Sequence, residues 1–558
     1  MSEKNNLSPI EKIKVASKGL RGTLKESLLD EHTGAIREQD EALVKFHGMY
    51  QQDDRDRREE REAKKLERLY SFMIRLRLPG GFLSAEQWQA VHHVAGEHST
   101  GVIKITTRQT IQLHGILKSH VKPTIKHFNT LSIDSIAACG DVNRMVTCNA
   151  LPSHSHLHPQ IHTYADKISR LLLPKTKGYY EIWLDEELVA EQVDETDVLY
   201  QERYLPRKFK IGIAIPPNND ADVLINDLGL IAIIENDQLK GFNIAVGGGL
   251  SFTHGNEATY PRLATVIGFT GTEEKTLKTI YEIVTIQRDF GNRSDRKQAR
   301  LKYTLDRMGV AVFKAELEKR TGFQLEEAKP FTFLQRKDEF GWSKSADGLW
   351  HYTAFVEGGR VTDDANAATK TGLYEIAKTG RINFRLTCNQ NVIVADVAEA
   401  DKAMIDALLV QFGIKQFTER SSAIRLNSVA CVAFNTCGLA LAEAQRYLPT
   451  LISKIEPVLS KYKLTEEDII LRMTGCPNGC GRSTAAEIGL IGTAYGLYNL
   501  HIGGDRLGLR LNAKYKEHLN EEQILSTLNE LFAVYTAERR TGETFGDFSY
   551  RNWIRKNN

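Results

Sequence analysis

A pattern that occurs twice, half a chain apart, constrains this sequence more than any other feature. Gly80-Gly81 is followed by Gly101-Val-Ile-Lys104-Ile-Thr-Thr-Arg108-Gln109-Thr110. Gly358-Gly359 is followed by Gly380-Arg-Ile-Asn-Phe-Arg385-Leu-Thr-Cys388-Asn389-Gln390-Asn391. Each copy reads as a Gly-Gly turn, a stretch of helical potential (82–96 and 366–378) and then a β-rich strand. The separation is about 280 residues in a chain of 558, so the repeat is a duplication of half the molecule rather than a short-period solenoid. The copies differ in charge: Arg108 becomes Asn389, whereas Lys104 keeps a basic counterpart in Arg385. A pseudo-twofold molecule with one charged ligand at its seam has this signature.

A chain of this length is too long for one core and predicts three or four domains. Each repeat is followed by a longer mixed block. Strands are expected at Phe209–Ile215, Leu230–Ile234, 468–473 and 486–493, and helices at Glu273–Arg288, 438–462 and 519–538. Residues 1–66 read as an arm. Its run Asp53-Asp54-Arg55-Asp56-Arg57-Arg58-Glu59-Glu60-Arg61-Glu62 alternates sign at helical spacings, as a solvated helix does; docking to a partner is the other reading.

The net charge is +2, which argues against broad nucleic-acid or membrane-surface binding and makes any attraction for anions local. No apolar run approaches the ~18 residues of a membrane span, and Met1 to Leu20 is polar without a signal-peptide core, so a cytoplasmic protein is expected. Seven cysteines are too few for a disulfide scaffold of this size, and four of them fall close together near the C-terminus.

Those four are Cys431-x5-Cys437 and Cys476-Pro-Asn-Gly-Cys480. Four thiolates can hold a [4Fe–4S] cluster or a structural zinc. The x5 interval is wide for a zinc knuckle, and Pro477 and Gly479 break the second pair as a helical i,i+4 unit. Spacing alone leaves cluster, zinc and unrelated thiols open.

The longer segments Cys431-Val-Ala-Phe-Asn-Thr-Cys437 and Thr474-Gly-Cys476-Pro-Asn-Gly-Cys480-Gly-Arg482 closely resemble the signature of the sirohaem sulfite and nitrite reductases. The resemblance spans nearly the whole chain, and the segment Phe46-His-Gly-Met-Tyr50-Gln-Gln-Asp-Asp-Arg55 is similar to the flavoprotein-linked class within that family. It implies an α+β fold: a pseudo-twofold duplicated architecture of three mixed α/β domains around a central cofactor site. The arm (1–66) would be followed by a first ferredoxin-like half (67–135), a first sirohaem-binding α/β domain (136–344), a second ferredoxin-like half (345–420) and a second α/β domain carrying the cysteines (421–558). By the same resemblance all four cysteines bind a [4Fe–4S] cluster, and Cys480 also ligates the sirohaem iron.

Sirohaem carries eight carboxylates and sulfite is an oxyanion, so both demand cations. Three basic segments supply them: Arg75-Leu-Arg77, with both arginines placed on one strand face by alternation; Asp141-Val-Asn-Arg144; and Arg207-Lys208-Phe209-Lys210. Taken alone each reads as a solvated edge. By resemblance Arg75, Arg144, Lys208 and Lys210 surround the substrate. Arginine suits clamping of oxyanion oxygens, and lysine, whose pKa shifts on desolvation, suits proton donation. Arg108, Gln112 and His114 fall on one face if the strand alternates throughout, and the resemblance lays them along the sirohaem. Arg300 belongs to a basic stretch that either meets macrocycle carboxylates or forms a solvated helix face.

The activity implied is six-electron reduction of sulfite to sulfide. The chain has no dinucleotide or flavin fingerprint, so NADPH, FAD and FMN would act through a partner flavoprotein. The rivals are a nitrite reductase, a ferredoxin-fed sulfite reductase, a dissimilatory-type enzyme and a non-catalytic zinc protein. His154, His156, His158 and His162 read as a loop-borne tract rather than a metal site, Gly247-Gly248-Gly249 as a point of close backbone approach, and Cys139, Cys148 and Cys388 as buried thiols.

Overall fold

The computed structural model describes residues 7–175, 182–184, 187–190 and 197–555. Four five-stranded sheets carry the fold, and they come as two matched pairs.

The first pair holds the repeats. One sheet runs Met49–Asp53, Tyr70–Arg75, Ile111–Ile116, Ile103–Ile105, Arg360–Val361; the other runs Gly341–Lys344, Trp350–Ala354, Val392–Val397, Asn383–Leu386, Phe82–Ser84. Every neighbour pair is antiparallel. Each sheet ends in a short strand donated by the other half, so the halves exchange edges. The Gly-Gly turns launch these exchanged strands. Gly81 and Gly359 adopt φ +74° and +69°, where glycine carries no side-chain penalty. A Cβ on Gly81 would stand 2.8 Å from Leu386 O, and one on Gly359 would stand 2.4 Å from Ile105 O. The two sites therefore share both a backbone conformation and a reason for glycine. Across the seam Trp88 stacks on Phe384, with ring centres 4.4 Å apart. The helix bearing Trp88, Ala85–Glu97, starts at a capping box between Ser84 and Gln87.

The second pair is also duplicated, which no sequence repeat announced. Asn143–Thr147, Phe209–Ala214 and Leu228–Glu235 run parallel, then Gln238–Val246 and Thr265–Thr270 continue antiparallel. Ser428–Ala430, Leu471–Thr474 and Ile488–Ala494 run parallel, then Leu497–Ile502 and Ala513–Leu519 continue antiparallel. The central strand Leu228–Glu235 is almost unbroken Leu and Ile because both of its faces are covered. Apolar packing is continuous from Leu20 to Ile414, whereas Ile424 to Ile554 form a separate core.

Two expectations change. The helix expected over 438–462 spans only Leu448–Lys461, with Pro449 in its first turn. The preceding residues wrap the cysteine loop, where Leu441 and Ala442 N–H donate to Gly475 O (2.8 and 3.1 Å). The segment read as an arm contributes a strand, Met49–Asp53, to the first sheet, and its charged run forms a 3-10 turn at Arg55–Arg57 followed by a short α-helix, Arg58–Ala63.

Candidate functional site

Strand register defines which residues of the second pair of sheets are equivalent. Ile211 pairs with Leu228 and Val146, as Leu471 pairs with Ile488 and Ser428. Counting back from Leu228 and Ile488 aligns Pro217-Asn218 with Pro477-Asn478, Asp220 with Cys480 and Asp222 with Arg482. Counting forward from Val146 and Ser428 aligns Asn149 with Cys431. Asp222 and Arg482 both sit in the left-handed region (φ 48° and 60°) and each opens a 3-10 turn. They also meet: Arg482 Nη1 donates to Asp222 Oδ2 at 2.5 Å. Arg472 (2.8 Å) and Arg336 (3.0 Å) complete a buried four-residue ion cluster on the seam. Burial works against the Asp222 carboxylate, but the three guanidiniums hold it well below its usual range.

Above this seam lie the cysteines. Cys431 directly follows the strand Ser428–Ala430, and its Sγ accepts from Gly475 N–H at 3.3 Å; Asn478 Nδ2 lies 3.5 Å from Cys476 Sγ. Amides aimed at sulfur are the donors that tune an iron–sulfur centre. Gly481 is required for this turn, because a Cβ there would lie 2.3 Å from Met473 O. Burial raises the pKa of Cys431, Cys437 and Cys476, the last to about 11, and in each case the neighbouring Cys480 adds to the shift. The four thiols thus sense one another. Cys480 is the exposed member, and its carbonyl accepts from Thr107 Oγ1 (2.9 Å) in the first repeat. Among the described residues no group of three or more His, Cys, Asp or Glu is disposed to hold a single metal ion, and the histidine tract forms no such group. That tract is not all loop: His158 and His162 begin the helix His158–Leu171, and His158 is buried against Asn149 O (3.0 Å).

Of the basic residues Lys210 lies near Cys480, and Lys208, Arg144 and Arg207 adjoin it. Lys208 and Lys210 flank buried Phe209 at the start of its strand. Burial, then Arg207, Lys210, Arg144 and Arg300, lower Lys208 well below its ordinary pKa. Burial, then Arg108 and Arg300, bring Lys210 down to about 7, with Cys480 opposing. Burial, then Arg296, brings Arg207 to about 10. Arg144 donates to Gly140 O (3.0 Å) and approaches Tyr50 Oη (3.4 Å). Arg75 donates to Cys139 Sγ (2.9 Å) and faces the Tyr50 ring at 6.0 Å. Among the described residues Lys208 and Lys210 make no ion pair with a carboxylate. Cations that suppress one another's charge form a site that an anion stabilises.

Several placements differ from expectation. Arg77 does not share the pocket with Arg75: the strand ends at Arg75, and Arg77 pairs with Asp134 (2.5 Å). Arg108 does not alternate with Gln112 and His114, because it precedes the strand Ile111–Ile116 and Gln109 turns the chain at φ 51°. Its terminal nitrogens are spent on Asn226 (2.5 Å), Thr147 (3.3 Å) and the carbonyls of Met145 (2.5 Å) and Ile211 (2.9 Å), leaving Nε without a partner. Gln112 lies between Arg75 and Lys104 in the sheet. His114 Nδ1 meets Gln52 (2.9 Å), its Nε2 is buried without a partner, and burial, then Lys104 and Arg75, lower its pKa to about 3. Arg300 is on no solvated face; it is buried in a two-pronged pair with Asp227 (2.9 and 2.8 Å). The triple glycine does permit close approach, since a Cβ on Gly248 would stand 2.3 Å from Leu224 O.

Sequence reasoning missed Tyr50, which lies between Arg75 and Arg144, and Arg55, which reaches the cysteine loop. Their only sequence signal was membership of the 46–55 segment. A cavity of about 470 Å³ lined by Phe417, Arg420, Arg425 and Glu456 holds none of these groups, and Arg425 is already paired with Glu456 (3.1 Å).

Comparison with known proteins follows this division. Residues 65–130 and 343–411 match the nitrite/sulfite reductase ferredoxin-like half domain, and residues 163–325 match the nitrite and sulphite reductase 4Fe-4S domain. The latter match falls on the copy of the duplicated sheet that lacks the four clustered cysteines. Proteins from Leptospira biflexa (61% identical, all of both chains) and Myxococcus xanthus (51% identical, 98% of this chain and 96% of the relative) are named sulfite reductase [NADPH] hemoprotein beta-component. The solved structure of Mycobacterium tuberculosis NirA covers 99% of this chain and 98% of its own, with TM-score 0.79 and 23% identity, and shows the same fold.

Proposed function

The chain belongs to the nitrite and sulphite reductase family, and from that membership we propose that it is the haemoprotein component of an NADPH-dependent sulfite reductase, which reduces sulfite to sulfide with six electrons. In this reading Cys431, Cys437, Cys476 and Cys480 hold a [4Fe–4S] cluster, and Cys480 is shared with sirohaem. When bound, the sirohaem supplies the iron at which sulfite is reduced and the cluster supplies electrons singly. The beta-component names of the relatives support a separate flavoprotein as electron donor, carrying FAD and FMN and oxidising NADPH.

The observation that carries the reading is the meeting of thiols and cations: Lys210 senses Cys480, the one exposed cysteine of the four. The residues present fit the two groups. Thiols with no other role surround one turn, and a wall of mutually opposed cations suits a polycarboxylate and an oxyanion.

The roles divide by chemistry. Arg75 and Arg144 present guanidinium forks to oxyanion oxygens. Each oxygen of sulfite leaves as water, so protons must arrive with electrons. Lys210, poised near neutrality, is the proton donor best matched to that task, and Lys208 is lowered by burial and then by Arg207 and Lys210. Gln112 and His114 line the cofactor side. Arg108 and Arg300 act there chiefly through the strands they brace, since their donors are already engaged. No described helix is long and apolar enough to cross a membrane, which accords with a cytoplasmic enzyme.

The test is the absorption spectrum, iron and acid-labile sulfide of the full chain purified from a host that makes sirohaem, beside Cys480→Ser. Haem-type bands with additional non-haem iron, uncoupled in the variant, are expected. Turnover of sulfite and nitrite with reduced methyl viologen then ranks the substrates. A colourless zinc protein would end the reading.

A further inference from the structure

The N-terminal segment grips the cysteine loop where its sequence suggests only solvated charge. Arg55 Nη1 donates to the carbonyls of Cys437 (2.9 Å) and Ala440 (2.8 Å), and its backbone N–H donates to Asn435 O (3.1 Å). Its guanidinium carbon stands 4.3 Å from the centre of the Phe434 ring. On one side Asp54 Oδ1 accepts from Asn435 Nδ2 (3.0 Å); on the other Asp56 pairs with Arg446 (2.6 Å). Three consecutive residues thus close over the loop between Cys431 and Gln445 from a point 382 positions away.

This clip differs from the other arginine contacts near the cysteines. Arg482 and Arg472 are committed to Asp222. Arg55 instead donates to two neutral carbonyls, so its positive charge is held beside Cys437, and among the described residues no carboxylate pairs with that guanidinium. A reduced iron–sulfur cluster carries one more negative charge than the oxidised one. A fixed, half-buried cation beside a ligand loop stabilises the reduced form more than the oxidised form.

Resting on the assignment of the four cysteines to a cluster, we propose that Arg55 is a positioning residue for that cluster: it fixes the Cys437 loop through two carbonyls and raises the cluster's reduction potential through its charge. Electron entry from a donor is thereby made easier, and the N-terminal segment becomes part of the redox centre.

The full-length protein, Arg55→Gln, Arg55→Lys and Asp54→Asn are compared with their cofactors in place. Iron and labile sulfide are measured first, then the cluster midpoint by redox titration followed by electron paramagnetic resonance. Hydrogen exchange of residues 431–441 is read on the cofactor-free chains. At the wild-type midpoint, Arg55→Gln is expected to lower the reduced-to-oxidised ratio about tenfold, which is about 59 mV for a one-electron couple. Arg55→Lys keeps the charge and recovers most of that shift, although both variants exchange faster in the loop. Asp54→Asn removes a nearby negative charge and moves the midpoint upward. Faster exchange with an unchanged midpoint in Arg55→Gln makes the clip merely structural and overturns the proposal. Should that variant not fold, an unmoved midpoint in Asp54→Asn overturns it equally. Wild-type protein without iron and sulfide overturns the cysteine assignment itself, a failure distinct from that of Arg55.

Discussion

The two copies of the parallel-then-antiparallel sheet share strand order, register, a Pro-Asn turn and a left-handed residue before the central strand. They share almost nothing of the chemistry. Where one has Cys431 and Cys480, the other has Asn149 and Asp220, and there the Asn149 amide donates to the Asp220 carboxylate. Asp220 is buried, which raises its pKa to about 6. The copy without the four clustered cysteines has closed its turn with a hydrogen bond; the other copy carries thiols at the same two positions. The backbone interactions that hold each turn survive in both. Asp227 accepts from Lys210 N–H (2.9 Å), as Glu487 accepts from Ile470 N–H (3.0 Å). Duplication therefore preserves what sets the backbone and frees what projects from it. Catalytic specialisation needs few substitutions when the frame already delivers two loops to one axis.

The largest effect should separate the copies outright. Cys431→Ser is expected to abolish cluster assembly, whereas Asn149→Ser at the equivalent position should leave iron and labile sulfide at wild-type levels; metal analysis of both variants decides. Loss of iron in Asn149→Ser would mean that the copies are not chemically separable. Next comes the seam they share. Asp222→Asn leaves Arg336, Arg472 and Arg482 buried without their counter-charge, a change that costs about 3–5 kcal/mol when one partner of a buried pair is removed. A lowered urea midpoint would show it, and an unchanged midpoint would mean that the three guanidiniums find other acceptors. The sign with pH follows from the depressed Asp222 pKa. Its stabilisation is full above the unfolded carboxylate pKa of about 4 and is lost as pH falls through the lower folded value.

How much of this was legible in the sequence depended on how far apart the interacting residues lie. The ferredoxin-like repeat was readable because Gly-Gly and Arg/Asn-Gln recur in the same order at similar spacings, and those positions carry backbone requirements. Gln109 and Gln390 both turn the chain in the left-handed region, and each braces the strand that follows its own half: Cys148 N–H donates to Gln109 (3.0 Å) and Ala430 N–H to Gln390 (3.2 Å). The exchanged edge strands were not legible, since Phe82–Ser84 and Arg360–Val361 find partners only in three dimensions. Nor was the duplication of the second sheet, whose turns differ in almost every side chain. The cysteines, Arg75, Arg144, Lys208 and Lys210 were singled out through motif likeness, and in the structure Arg75 and Arg144 both approach Tyr50 while Lys208 neighbours Lys210 and Arg144. Alternation failed at Arg77 and Arg108 for one reason: each stands just outside a strand, where the period of two no longer applies.

Smaller effects sharpen the comparison within the site. Lys210→Met is expected to slow sulfite turnover about 10²–10⁴-fold, the range for a lost general acid, while a matching change at Ile470, its counterpart in the other copy, leaves turnover intact. Nitrite keeps a constant charge around neutrality and reports the lysine itself. Its affinity for the oxidised enzyme should weaken as pH rises through about 7, where free Lys210 loses its proton, and Lys210→Met should flatten that profile. A slope unchanged in the variant would assign the titration to another group.

The smallest effect tests the symmetry rather than its breaking. Gly81→Ala and Gly359→Ala both force a side chain into the left-handed region, a strain of about 1–3 kcal/mol each. Gly359→Ala should be the worse, because its Cβ would lie 2.4 Å from a backbone oxygen, against 2.8 Å at Gly81. Each clash involves a carbonyl of the opposite repeat, so either substitution strains both halves. Chemical denaturation of the two single variants and the double variant measures this directly. A double-variant loss clearly different from the sum of the singles is expected, since each turn packs on a strand of the other repeat and each launches the edge strand that the other's sheet receives. Simple additivity would mean that the halves yield independently, and that the exchanged edges join the repeats without coupling them.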